Sequence, residues 1–312
     1  MSSTPAAKAY VGCSGWSYRH WKGPFYGPEL PASQWFSHYA RRFGTVELNN
    51  TFYRLPPAAT FATWAAKAPP GFVYAVKVNR FGTHRLKLRD PQRWLPTYLE
   101  RVALLGSALG PNLVQLPPRW KRDLGRLGDF LEAATSAPAI AATSATPAIA
   151  ATSATPATAA TSAPAIAATS ATPATAATWA PRATAGRGTP ASPAIGRGRP
   201  LLWALEFRDP SWLHESTYEL LREYRVALCC HDLVEDHPWA LTTSWGYARF
   251  HGPHAKSEKY AGEYGTEGVA ALGRPLLAWL EQGCPVYAYF NNDLGGAAVR
   301  DAQALAELLT LR

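Results

Sequence analysis

Along the chain, short runs of β-branched, aromatic and aliphatic residues alternate with stretches whose apolar positions recur at helical spacing. The strand-like runs are Tyr10–Ser14, Val46–Asn49, Phe72–Val78, Leu113–Leu116, Leu201–Phe207, Val226–Cys230, Gly246–His251 and Val286–Phe290. Between them the spacing predicts helices over Gln34–Phe43, Thr60–Lys67, Pro91–Leu109, Asp123–Ala133, Ser216–Tyr224 and Leu272–Gln282, with Ala302–Leu311 closing the chain. Eight strands joined by mostly helical connections predict the α/β class and a single (β/α)8 TIM barrel. A doubly wound open sheet is the alternative. It usually carries a Gly-rich phosphate turn after its first strand, and Gly12-Cys13-Ser14-Gly15-Trp16 does not fit GxGxxG.

One stretch fits neither pattern. From Thr135 to Pro200, 53 of 66 residues are Ala, Pro, Thr or Ser, which leaves almost no large apolar side chain to bury. Ser136 to Thr178 is a direct repeat of eight or nine residues, of the form SATPATAAT. A proline in every unit blocks a continuous helix. Ordering costs about 1–2 kcal/mol per residue, which this composition cannot offset. The expectation is a disordered Ala/Pro/Thr/Ser spacer inserted between the fourth helix and the fifth strand. It divides the chain into 1–134, the first half of the barrel; 135–200, the insert; and 201–312, the second half. Without the insert 246 residues remain, close to the roughly 250 of one barrel and short for two domains. Such αβ connections lie on the N-terminal face of a barrel, opposite the loops that carry sites. The insert is therefore expected to stand apart from the chemistry.

Charge changes little once the insert is set aside. The whole chain is +9, but Arg182, Arg187, Arg197 and Arg199 lie in the insert, leaving 27 basic against 22 acidic residues elsewhere. That excess permits an anionic partner without requiring one. No run of about 18 apolar residues is present, and Met1–Lys8 is too short and polar for a secretory signal. Cys13, Cys229, Cys230 and Cys284 have no CxxC spacing, so neither a zinc ribbon nor a disulfide framework is implied. A cytoplasmic protein with no membrane partner is the expectation. Ser14 and Ser17 lack the Gly-x-Ser-x-Gly elbow, and Cys13 reads as a small core residue.

The period-two pattern of the strands carries the functional signal. Glu47 and Asn49 share one face of the second strand. Ala75, Lys77 and Asn79 do so on the third, Ala204, Glu206 and Arg208 on the fifth, and Tyr247, Arg249 and His251 on the seventh. The opposite faces are apolar and suit a layer of helices, so the polar sets should face the barrel axis. Charged residues are almost never fully buried unless paired. Six of them at strand ends therefore predict a polar pocket at the C-terminal mouth, completed by Gln115, Asp232 and Asn291.

Several motifs occur in order: Gly15-Trp16-Ser17-Tyr18 with Trp21, Glu47-Leu48-Asn49-Asn50-Thr51-Phe52-Tyr53, Ala75-Val76-Lys77 with Thr83-His84, and Gln115-Leu116-Pro117-Pro118. Glu206-Phe207-Arg208-Asp209-Pro210-Ser211-Trp212, Arg249-Phe250-His251-Gly252 and Phe290-Asn291-Asn292-Asp293 follow. In these the sequence resembles the YecE-like family, domain of unknown function 72. The resemblance implies a TIM barrel over nearly all of the chain outside the insert, and it implies no established activity. Two departures are Phe25-Tyr26-Gly27-Pro28, where the family usually has Pro directly after Phe-Tyr, and the long repeat itself.

Three uses of the pocket are open at this stage. The first is a hydrolase or lyase acting on a phosphate-containing substrate, with nucleic acid a candidate. Lys77, Arg208 and Arg249 would bind the anion, while Glu47, Glu206 and His251 would do general acid–base work. Trp16, Tyr18, Asn49, Gln115 and Asn291 would contact substrate, the aromatics by stacking. A divalent metal is a candidate cofactor, recruiting Glu206, His231, Asp232 and His251, although His251-x-x-His254 has poor spacing for one. The second use is a glycosidase with Glu47 and Glu206 as paired carboxylates and Trp16 as a sugar platform. The third is a non-catalytic binding protein for an anionic metabolite or nucleic acid.

Overall fold

In a computed structural model, residues 7–136, 140–141, 198–255, 257–258 and 260–311 are described. Eight parallel strands form the barrel: β1 (Ala9–Cys13), β2 (Thr45–Leu48), β3 (Val73–Lys77), β4 (Leu109–Gln115), β5 (Trp203–Glu206), β6 (Ala227–His231), β7 (Gly246–Phe250) and β8 (Val286–Phe290). Hydrogen bonding runs in the order β1-β8-β7-β6-β5-β4-β3-β2. The fold is a (β/α)8 TIM barrel. The helices are α1 (Trp35–Ala40), α2 (Asn50–Tyr53), α3 (Ala58–Lys67), α4 (Pro91–Ala103), α5 (Leu124–Thr135), α6 (Glu215–Glu223), α7 (Gly265–Glu281) and α8 (Ala297–Thr310). The connection from β6 to β7 is a helix-free loop.

Period-two alternation sorts the strand residues into two apolar sets. Val46, Leu48, Val76, Val114, Leu205, Phe207, Phe250 and Phe290 join the helices in one core. Val73, Ala75, Leu113, Ala204, Cys229, Tyr247, Tyr287 and Tyr289 form a second, inside the barrel. The axis is therefore plugged below the mouth by tyrosines and small aliphatics, and the polar strand ends lie above that plug.

β1 and β2, the two ends of the ladder, meet at a seam closed by a side chain. The Cys13 amide donates to the Tyr39 hydroxyl (2.8 Å), which in turn donates to the Thr45 carbonyl (3.0 Å). Gly12 is needed here, because a Cβ would sit 2.4 Å from the Thr45 carbonyl oxygen.

The insert leaves after α5 and returns ahead of β5, so both of its ends lie at the N-terminal end of the barrel. A two-residue antiparallel pair, Ile140–Ala141 with Gly198–Arg199, joins its flanks. At its edges the insert expected to be disordered over 135–200 is ordered, since Thr135 ends α5 and residues 140–141 and 198–199 pair. For the rest of it the expectation concerns residues 137–139 and 142–197, which lie outside the described residues. β4 pairs with β5 directly, Gln115 opposite Glu206, so the segments on either side of the insert share one sheet. Among the described residues, no helix is long and apolar enough to cross a membrane.

Four element boundaries differ from the sequence expectation by more than three residues, the first being α4, which ends at Ala103 rather than at Leu109, the residue that opens β4. β4 begins at Leu109 rather than Leu113, because Gly110-Pro111 reads as a turn. Gly110 is instead the point where Val73 packs closest, and a Cβ there would meet Val73 at 2.3 Å. α7 starts at Gly265, its first turns disguised by two glycines. α8 starts at Ala297, where the polar Asp301 turns inward rather than marking a surface.

Candidate functional site

Arg249, at the end of β7, is fully buried at the centre of the mouth and holds two carboxylates at once. Its Nε donates to Glu47 Oε2 (3.0 Å) and its Nη2 to Glu47 Oε1 (2.8 Å). Its Nη1 donates to Glu206 Oε2 (2.6 Å) and also reaches His251 Nε2 (3.0 Å). Glu47 accepts two further bonds, from the Ser14 hydroxyl to Oε1 and from the Tyr247 hydroxyl to Oε2, both 2.7 Å. The other oxygen of Glu206 is bound by Arg208 Nε. Burial pushes both carboxyl groups up. Arg249 and Lys77 outweigh that at Glu47 and hold it below its ordinary value, while Arg208 and Arg249 hold Glu206 well below. Both are ionised; Glu47 takes at least two donors on each oxygen, whereas Glu206 takes a single guanidinium donor on each.

His251 forms the other wall. Its Nδ1 lies 2.8 Å from Asp232 Oδ1, and its Nε2 faces Arg249 Nη1 and Arg208 Nη2 (3.1 Å). Guanidinium groups only donate, so Nε2 is the acceptor and Nδ1 carries the proton donated to Asp232. Burial lowers the His251 pKa to about 4, and the neighbouring arginines add to this against the pull of Asp232. Asp232 is fixed in turn by the His251 amide (2.9 Å) and the Tyr264 hydroxyl.

Two cations keep donors to spare. Arg208, whose side chain is 20% exposed, has an Nη1 that makes no hydrogen bond among the described residues. Its Nη2 reaches Gln115 Oε1 only at 3.5 Å. Lys77 is 7% exposed, and its Nζ sits 4.5 Å from the centre of the Phe52 ring with no acceptor among the described residues. Burial, chiefly, and the Arg249 charge lower its pKa to about 7, against smaller opposing pulls from Glu206 and Glu47. Across the pocket Asn49 Nδ2 donates to Asn291 Oδ1 (3.3 Å), and the buried Asn49 Oδ1 has no partner among the described residues.

These strand-end residues recur in motif order along almost the whole chain, and so does the match to known sequences. A profile described as "Protein of unknown function DUF72" matches residues 10–312. The chain belongs to the DUF72 family. A DUF72 family protein from Thermotoga maritima MSB8 has a similar structure (TM-score 0.69, 24% identity), covering 97% of this chain and 99% of that one. Two structures of a DUF72 family protein from Enterococcus faecalis V583 are similar at 17% identity, with TM-scores of 0.64 and 0.61. The first covers 97% of this chain and 96% of that one, and the second 98% and 99%. No curated protein sequence matches.

Within this DUF72 barrel, Glu47, Gln115, Glu206, Arg208, Arg249 and His251 are linked at the mouth by the bonds above, Asn49 pairs with Asn291, and Lys77 feels the charges of Glu47, Glu206, Arg208 and Arg249 without a hydrogen bond of its own among the described residues. The first loop is different. Trp16 packs edge-on against Phe36 (5.2 Å) and Trp64 (6.3 Å), on the helix side of the strands. The Tyr18 hydroxyl donates to the Ser14 carbonyl, so it backs the residue that touches Glu47. Trp21 Nε1 donates to the Asp293 carbonyl (2.8 Å), tying the loop after β1 to the loop after β8. The donors suggested for a metal are already engaged. His231 Nε2 bonds the Phe207 carbonyl (2.7 Å) and its Nδ1 accepts from the Leu233 amide. Among the described residues, no three His, Cys, Asp or Glu side chains are grouped to hold a metal ion.

Sequence reasoning missed Tyr264 and Phe52. Tyr264 lies in an aperiodic loop, where nothing marks it as the partner of Asp232. Phe52 sits one turn beyond β2, and its pairing with Lys77 on the next strand is visible only in three dimensions. The rim also exposes Tyr53 and Phe81 beside the exposed Arg54, Arg80 and Arg85, with Arg85 over the Phe81 ring at 5.8 Å.

Proposed function

We propose that this DUF72 barrel is an enzyme, a hydrolase or lyase, whose mouth binds a phosphate-containing substrate. The observation that carries the reading is the unused donor capacity of Arg208 Nη1, beside the Gln115 amide, and of Lys77 Nζ, which feels the Arg208 charge. An oxyanion supplies the acceptors these two cations lack, and a phosphate suits an Arg fork together with a point-charge ammonium. Exposed aromatics and arginines on the rim extend the same chemistry outward. They also suit a nucleic-acid strand, by stacking and backbone neutralisation.

Roles follow from what each group has free. Arg208, Lys77, Gln115, Asn49 and Asn291 bind and orient substrate. Glu47 and Glu206 fix the two arginines. Their depressed pKa values suit neither the general acid of a glycosidase nor a strong base. Neutral His251, held by Asp232, and Lys77 are the proton carriers, Lys77 being the one poised near neutral pH. The engagement of all four oxygens of the two carboxylates by donors also favours a second reading, a non-catalytic receptor for the same anion.

A panel of phosphomonoesters, phosphodiesters, single- and double-stranded oligonucleotides and glycosides tests the proposal. Arg208→Gln should weaken binding of the phosphate-bearing members at least about tenfold and flatten their salt dependence. Turnover of a neutral glycoside, or binding indifferent to Arg208→Gln, would overturn it. Salt-dependent binding with no product from any member selects the receptor.

A further inference from the structure

Lys77 has a chemistry that anion binding alone does not use. It ends β3 at the mouth, under the Phe52 ring and among Glu47, Glu206, Arg208 and Arg249. A buried ammonium is costly unless a carboxylate neutralises it. Here the nearby carboxylates are committed elsewhere, Glu47 to Arg249 and Glu206 to both arginines. The two guanidiniums add repulsion, and the half-buried His84, which packs edge-on against the Phe52 ring, offers no negative charge. Burial without an acceptor, beside fixed cations, is the arrangement that turns a lysine into a neutral nucleophile.

We infer that Lys77 is a covalent residue that forms an imine with an aldehyde or ketone carried by a phosphate-bearing substrate. The inference rests on the reading above that Arg208 holds the phosphate, and it gives Lys77 Nζ to the carbonyl of the substrate in place of a phosphate oxygen. The lone pair of Nζ adds to the carbonyl carbon, so that a C–N bond forms and the C=O π bond breaks. One amine proton passes to the carbonyl oxygen, giving a carbinolamine. The hydroxyl then leaves with the second nitrogen proton as water, and C=N remains. No oxidant or reductant is consumed. Protonated at nitrogen, the imine withdraws electrons from the adjacent carbon and makes a bond there breakable, which is lyase chemistry. At neutral pH about half of an amine with a pKa of about 7 is free base. An ordinary lysine is almost entirely protonated there.

The wild-type protein tests this directly, using glycolaldehyde phosphate as the probe and cyanoborohydride to trap the imine at pH 7. Peptide mass spectrometry should find the reduced adduct on Lys77 at least about tenfold above the exposed Lys22, Lys67 and Lys121. Unphosphorylated glycolaldehyde should label Lys77 far less, and inorganic phosphate should protect it from the phosphorylated probe. Equal labelling of Lys77 by both aldehydes would keep the imine and overturn the phosphate reading. Probe that binds in calorimetry, and is displaced by phosphate, yet marks Lys77 no more than the surface lysines would overturn the imine and keep that reading. Lys77→Arg retains the positive charge and should bind the probe without any adduct at position 77.

Discussion

Arg249 is the residue on which the mouth depends, since its guanidinium is the shared counter-charge of two fully buried glutamates. Arg249→Met should destabilise the protein by about 3–5 kcal/mol, because removing one partner leaves buried charge without compensation. Arg249→Lys should recover only part of this, having no fork to span both carboxylates. Urea denaturation at neutral pH measures both. Lys77 gives the opposite sign. Its pKa falls from 10.5 to about 7 on folding, so between these values the unfolded chain holds a proton that the folded one has released. Its contribution to stability is full above about 10.5 and is lost as pH falls toward 7, a slope of up to ~1.4 kcal/mol per pH unit. Lys77→Met should flatten that limb of the stability–pH curve and raise stability at pH 7. An unchanged curve would show that the ammonium is not strained. The inward polar set was legible because alternation on a strand has only two faces. The packing of Trp16 was not, since an aromatic in a loop looks the same whether it meets ligand or helix.

At the scale of elements, the seam between β1 and β2 depends on one hydroxyl. Tyr39→Phe removes the bridge between the Cys13 amide and the Thr45 carbonyl, leaving two buried backbone groups unsatisfied. A loss of about 1–3 kcal/mol is expected, with hydrogen exchange at Cys13 accelerated more than at amides within the β8 ladder. If Cys13 exchanges no faster in the variant, the seam is held by something else. All eight strands were visible in the sequence, along with seven of the helices. The errors lay where a local signal served a distant contact. Gly110 looks like a turn because Val73 needs its space, and Asp301 looks like surface although it accepts from Asn292 Nδ2 (2.7 Å) and the Tyr264 amide.

For the whole molecule, the flanks of the insert and the polar mouth lie at opposite ends of the strands. The β4–β5 ladder is complete without the repeat. Deleting Ser136 to Thr178 should therefore shift the melting temperature by no more than about 2 °C, below the effect of ~1 kcal/mol in a domain of this size. Phosphate-dependent binding should be unaltered, and a larger fall in either would tie the repeat to the fold. The central charge cluster has a further consequence. Glu47 comes from the segment before the insert, whereas Arg249 and Glu206 come from the segment after it. The first segment alone leaves Glu47 without the guanidinium that binds both of its oxygens, the second leaves Arg249 with one carboxylate instead of two, and each presents an open sheet edge that the other covers. Expressed as two separate polypeptides divided within 142–197, the chain becomes a heterodimer whose halves select each other by charge as well as shape, and half-barrels of other origin make poor substitutes.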